Sequence, residues 1–244
     1  MRHDMAMTKE LNQFVRAVED LTNRPHGTEG CGLLWGEPGT GKTTATAWVA
    51  NQYDAVFVRA LGCWTVTSML GALCTELGSH RMCRRSDMVA YICKNLAEKP
   101  RPIFIDEADY LFRQEDMMDS IRDIYDISGA PVILIGMEEI ARKIQQHGRF
   151  ARRITQWIEF KGLDQADTAL VAARCCECVV AEDLLEFLHR ESRGNIGRVI
   201  IGLARIETMA KASRLATVNL AAWGTRQLFY DQPTFGKGRK RGDA

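Results

Sequence analysis

Two rhythms of apolar residues alternate along this chain, and their alternation predicts its architecture. Leu11, Phe14, Val15, Val18 and Leu21 lie three or four apart, which puts one apolar stripe on a helix over 8–22. Pro25, Gly27 and Gly30 interrupt it, and 31–35 then reads as a short buried strand. The alanine-rich segment 43–52 suits a helix, 55–59 a second strand, and 65–77 and 87–96 two further helices, the latter stopped at Lys99-Pro100. Residues 103–105 form a wholly apolar strand that runs into two acids, Asp106 and Glu107. A helix over 117–127, a strand over 131–135, a helix over 138–146 and a short strand over 155–160 continue the series. Parallel neighbours need crossovers, and crossovers are usually helical, so the predicted fold class is α/β, a three-layer parallel sheet with helices on both faces. From Asp164 onward strand signals stop. Helices over 164–174, 181–192, 196–212 and 217–223 are expected to form a small lid.

Composition narrows the reading. With 244 residues, 46% of them hydrophobic, the chain supports one sizeable core and a smaller companion. Lysine plus arginine (32) nearly cancels aspartate plus glutamate (31), so any nucleic-acid contact has to rest on local clusters. The first ten residues carry early charge and no apolar core, and no later run approaches the roughly 18 apolar residues of a spanning helix. The expectation is therefore a cytoplasmic protein with no membrane partner. Eight cysteines are scattered through predicted elements, which points to reduced thiols. Cys175, Cys176 and Cys178 cluster, but neither a second CxxC nor a His pair follows, so they read as core thiols rather than a zinc site.

The chemistry lies in two segments. Gly36-Glu37-Pro38-Gly39-Thr40-Gly41-Lys42-Thr43 fits GxxxxGK[ST], with Thr44 continuing into the helix. Glycines stand where the backbone wraps phosphate, and a helix N-terminus meets the negative charge. Lys42 is expected to reach the β- and γ-phosphates of ATP, and Thr43 to ligate Mg²⁺. In the second segment an apolar strand delivers Asp106 next to that metal, while Glu107 is placed to polarise a water for in-line attack. Asp109 reads as a surface or helix-start residue.

Taken together, these motifs resemble the AAA+ ATPases over roughly residues 8–223. The resemblance divides the chain into an N-terminal helix and linker (1–30), a P-loop AAA+ nucleotide-binding domain (31–161), a helical lid (162–224) and a flexible basic tail (225–244) that holds Lys237, Arg239, Lys240 and Arg241. It implies a homo-oligomer with nucleotide at subunit interfaces and an arginine finger supplied in trans, for which Arg149 is the first choice and Arg152 the second. The competing reading of both is a basic helix end. The segment Gly194-Asn195-Ile196-Gly197-Arg198 resembles the sensor-2 element, which implies Arg198 as its arginine; the competing reading is an ordinary helix-start arginine. At the end of the fourth strand, where the family commonly has a polar Asn or Thr, this chain has Ile135-Gly136-Met137-Glu138.

Within that class the chain is similar to the DNA-transposition regulators of the phage Mu B, TnsC and TniB group. The similarity rests on Thr8 opening the first helix, the phrase Leu33-Leu34-Trp35-Gly36-Glu37-Pro38-Gly39, and Val58-Arg59-Ala60 followed by Trp64-Thr65. It implies an ATP-dependent filament on duplex DNA that recruits or stimulates a transposase. Independently, Arg59, Trp64 and Thr65 after the second strand, with Arg81, Arg84 and Arg85 in one loop, form a local basic density suited to sequence-nonspecific phosphate contacts. Two alternatives stand beside this one. A replication initiator or helicase loader would commonly bring a further domain after the lid. A secretion or signalling NTPase would leave the basic loops idle.

Overall fold

The computed structural model describes residues 1–2, 4–79 and 82–230. Five parallel strands, β1 (Cys31–Gly36), β2 (Val56–Arg59), β3 (Ile103–Asp106), β4 (Val132–Gly136) and β5 (Ile154–Phe160), lie in the order β2-β3-β4-β1-β5. The α/β three-layer arrangement expected from the sequence is the one found.

Period-2 alternation sends side chains to two different cores. Leu33, Ile103, Ile105, Val132 and Leu134 face α3 (Val66–Glu76), α4 (Arg85–Glu98), α5 (Glu115–Ser128) and α6 (Glu138–Gln146). Leu34, Phe104, Ile133 and Ile135 face α1 (Lys9–Thr22) and α2 (Lys42–Gln52). Phe14 of α1 is fully buried there, edge-on to Phe160 with ring centroids 6.2 Å apart. Thr8 caps α1 by accepting the Leu11 N–H. The first helix thus packs as one layer of the α/β unit rather than as a separate N-terminal piece.

The lid contains α8 (Gln165–Cys175), α9 (Glu182–Ser192), α10 (Ile196–Ser213) and α11 (Leu220–Trp223) around Leu184, Leu188, Leu203 and Ile206. Cys175 and Cys176 are buried in this core. Two expectations change here. A parallel ladder joins β6 (Val179–Val180) to β7 (Thr217–Val218), so strands do not stop at residue 164. At two residues each, these strands are too short to show alternation, and β7 displaces the start of the last helix to Leu220. The lid also runs past residue 224, because Leu228 is buried in its core and its carbonyl accepts from Arg205. Lys237, Arg239, Lys240 and Arg241 of the tail lie outside the described residues.

The α/β unit and the lid meet at Gly162, where φ is +105° and a Cβ would lie 2.8 Å from the Gly194 carbonyl oxygen. Glu10 of α1 accepts the Gly162 N–H at 2.9 Å, Lys9 pairs with Asp164, and the Leu163 N–H donates to Gly194 O. The start of the first helix therefore grips the hinge.

Phe14→Ala should cost about 3–5 kcal/mol in urea unfolding, the usual penalty for emptying a buried aromatic site. Trp157→Ala, at an exposed position of the β5 edge strand, should stay within about 0.5 kcal/mol of the parent.

Candidate functional site

All five strands deliver their carboxyl ends to one edge of the sheet, the edge at which open parallel sheets bind ligands. Three of these ends matter most. Gly36 closes β1 with φ +151°, and a Cβ there would lie 2.2 Å from the Phe160 carbonyl oxygen, so only glycine lets β1 turn away beside β5. Gly41, with φ +90° and ψ 9°, sets the left-handed step into α2. Glu37, Pro38 and Gly39 are exposed, whereas Thr40 is buried with its hydroxyl donating to the Glu37 carbonyl at 2.8 Å. Lys42 donates to the Gly36 and Glu37 carbonyls at 2.8 and 2.7 Å, and burial pulls its ammonium below the ordinary lysine value. Thr43 and Thr44 are exposed at the start of α2.

Asp106 closes β3. It is 3% exposed, and its Oδ1 accepts the Glu107 N–H at 3.0 Å. Burial pushes its carboxyl above the ordinary aspartate value, against the opposing pull of the nearby Thr43 hydroxyl and of the Glu107 N–H that it accepts. Among the described residues Oδ2 has no hydrogen-bond partner, and a buried unsatisfied acceptor costs about 1–3 kcal/mol. An orphaned carboxylate oxygen beside a threonine hydroxyl is a hard-oxygen donor set, the kind that suits Mg²⁺. Glu107 follows in the left-handed region, φ 55° and ψ 36°, and is only partly buried.

Arg59, at the end of β2, stands opposite Asp106 in the ladder. Its Nη2 reaches Glu107 Oε1 at 3.0 Å, and its Nε lies 4.0 Å from Asp106 Oδ2. A residue expected to face DNA thus holds the Glu107 carboxylate. The other expected DNA residues are distributed differently. Trp64 packs partly buried against the main core, Thr65 caps α3 by accepting the Ser68 N–H, and Arg85 donates to Thr67 Oγ1 at 3.0 Å. Arg84 is exposed at the N-cap of α4, and Arg81 lies outside the described residues.

Between the sheet edge and the lid is a cleft of about 810 Å³ lined by Lys42, Thr43, Asp106 and Glu107, with Met5, Trp48, Val171, Ile196 and Ile200 on its apolar side. Met1, Arg2, Asp4 and Ala6 border it too, a placement that periodicity could not reveal. The N-terminus of α10 touches the phosphate loop, with Asn195 Nδ2 donating to Pro38 O at 3.0 Å and the Gly197 N–H to Gly39 O at 3.2 Å. Arg198 does not share that position. Its guanidinium stacks over Phe229 at 4.2 Å and donates to Glu191 O, away from the cleft, because helical phase gives the cleft to residues 196, 197 and 200. Sequence reasoning missed Asn195, although the residue stands one place before a predicted helix start.

Arg149 and Arg152 are both exposed around α7 (Gly148–Ala151). Neighbouring Arg153 is instead fixed to Asp126 at 2.8 and 2.7 Å and donates to Arg149 O. Asp109 stands at a helix start, in the first turn of the 3₁₀ helix Ala108–Arg113, and not on the open surface. It is half-buried, and its Oδ2 accepts the Met137 N–H at 2.8 Å.

This sheet order and cradle define a P-loop protein with the AAA+ fold. Residues 24–144 match the family model for the AAA domain. None of the curated proteins matches the sequence. Among solved structures, the chain is similar to Cdc6p from Pyrobaculum aerophilum, with a TM-score of 0.62 at 19% identity over 86% of this chain and 63% of that one. ORC1 from Aeropyrum pernix, solved in complex with DNA, gives 0.62 at 15% identity over 87% and 62%. ORC2 from the same organism, in its ADPNP–ADP complexes, gives 0.68 at 12% identity over 86% and 64%. The chain therefore spans less than two thirds of the length of these three structures, and at such identities the likeness is one of fold. No helix among the described residues is long and apolar enough to cross a membrane.

Asp106→Asn should raise the unfolding midpoint of the nucleotide-free protein by a few degrees, roughly 1 kcal/mol, while removing Mg²⁺-dependent nucleotide binding. The sign follows from the raised folded pKa. Ionising Asp106 costs the folded state most above that value, and below the unfolded value both proteins are neutral at this position. The gain should accordingly be present at pH 8 and vanish in acid.

Proposed function

We propose that this chain is an ATP-hydrolysing switch that binds duplex DNA as a homo-oligomer. The observation that carries the reading is the Arg59–Glu107 ion pair beside the phosphate cradle. Phosphates of ATP fit against the α2 N-terminus and Lys42, and a nucleobase fits the apolar side of the cleft. Thr43 and Asp106 would hold Mg²⁺, which supplies charge neutralisation on the phosphates when bound. Glu107 takes a proton from the attacking water. Exposed Arg149, or Arg152 after it, suits a trans finger that stabilises charge on the transferring group, an effect worth about 10³–10⁵ in rate elsewhere.

Arg59 also gives a route from DNA to chemistry. Its side chain is 57% exposed, so a duplex phosphate can compete with Glu107 for the guanidinium. Engagement of Arg59 and Arg84 by the backbone would free Glu107 for its water. Binding of this kind reads no sequence. Two finer readings share this chemistry. An initiator or loader role has the support of the fold shared with Cdc6p, ORC2 and ORC1, the last of these solved on DNA. A transposase-regulating role, with a filament on target DNA, has the support of the phrase at 33–39 and of residues 58–65.

Glu107→Gln should bind ATP and stay locked on duplex DNA, with turnover lowered by at least about a hundredfold, the scale of general-base loss. Wild-type turnover in that variant, read by phosphate release, would remove Glu107 from the mechanism. Arg59→Ala should raise DNA-independent turnover several-fold, weaken duplex binding and reduce the salt slope by about one. Unchanged basal turnover would sever the coupling.

A further inference from the structure

We propose that Asp109 is a positioning residue of this site, its carboxylate standing where a side chain on Gly136 would stand and tying the exit of β4 to the turn that carries Glu107. The inference rests on the hydrolytic reading above. β4 ends beside the cradle, between β1 and β3. Its two exit residues, Gly136 and Met137, bring no side chain able to form a strong hydrogen bond. A Cβ on Gly136 would lie 2.4 Å from Asp109 Oδ2 and 3.2 Å from its Cγ, so a side chain at 136 and the carboxylate of 109 exclude one another. The polar group at this strand end comes from the neighbouring turn.

That turn is the one that presents Glu107. Glu107 sits in the left-handed region, and its carbonyl accepts the Tyr110 N–H at 3.1 Å to begin the 3₁₀ turn Ala108–Arg113. A non-glycine residue held there costs of order 1 kcal/mol and persists only when its surroundings over-determine it. The 2.8 Å bond from the Met137 N–H to Asp109 is such a constraint, applied two residues beyond Glu107. Asp109 and Glu107 line one hollow with Glu37, Met137 and Lys143, which joins the phosphate loop, the Glu107 turn and the β4 exit. Through this carboxylate the position of the β4 exit is tied to that of the Glu107 turn.

Steady-state ATP turnover, ADP affinity and hydrogen exchange at the Met137 amide test this in Asp109→Ala, Asp109→Asn and the double variant Asp109→Ala/Gly136→Asn. Asp109→Ala should lose at least about tenfold in kcat, with KM and ADP affinity within about twofold, the signature of a misplaced catalytic group. Its Met137 amide should exchange faster. Asp109→Asn keeps an acceptor oxygen and should recover most of kcat and the protection. The double variant rebuilds a polar side chain from the strand side and should recover part of kcat. Wild-type kcat in Asp109→Ala, an equal loss of ADP affinity, or no recovery in Asp109→Asn would each overturn the proposal. If the parent bound ATP but turned none over, the hydrolytic reading would fall instead. Exchange would then decide the tie, with unchanged Met137 protection in Asp109→Ala overturning it and faster exchange restored by Asp109→Asn supporting it.

Discussion

A single buried carboxylate constrains the rest of this molecule. β3 is apolar on both faces, so it belongs in the interior of the sheet, and its last residue, Asp106, is carried under the phosphate loop with only 3% exposure. There one oxygen is met by a backbone N–H, and the other lacks a hydrogen-bond partner among the described residues. A carboxylate so placed opposes folding, and under the proposed function a divalent cation held with the Thr43 hydroxyl would turn the same placement into binding energy. The fold tolerates a local loss of stability at the point where it gains a ligand, a trade common at functional sites.

Around that carboxylate, groups from four strand ends and the lid act on one another directly. Arg59 from β2 holds Glu107, Asp109 reaches from the β3 turn to β4, and Lys42 follows β1. Asn195 and Gly197 of the lid donate to carbonyls of the phosphate loop, while Glu10 of α1 binds the Gly162 hinge. These bonds fix the N-terminus of α10 against Pro38 and Gly39. The lid and the phosphate loop are thus joined by direct hydrogen bonds, as Arg59 and Glu107 are joined by an ion pair.

What the sequence made legible follows the range of each interaction. The phosphate loop spans contiguous residues, and the acids at 106 and 107 close one apolar run, so both could be read from local pattern. Helix periodicity placed the long elements to within a few residues. Contacts between distant positions could not be read in this way. Nothing near Arg59 announces Glu107, and nothing near Asp109 announces Gly136, because each pair is made by strand order. Arg198 shows the opposite failure. Its motif is local, but one step of helical phase turns it onto Phe229 and gives the phosphate loop to Asn195. The lid's two-residue strands are shorter than any period that could reveal them.

If nucleotide in this cradle governs duplex binding, the most direct measurement is the affinity of the full chain for a duplex of arbitrary sequence. It would be taken without nucleotide, with ADP and with a slowly hydrolysed ATP analogue, at two salt concentrations. The account predicts tight, salt-sensitive binding with the analogue and much weaker binding in the other two states. Equal affinity in all three states, or no binding in any of them, would contradict it.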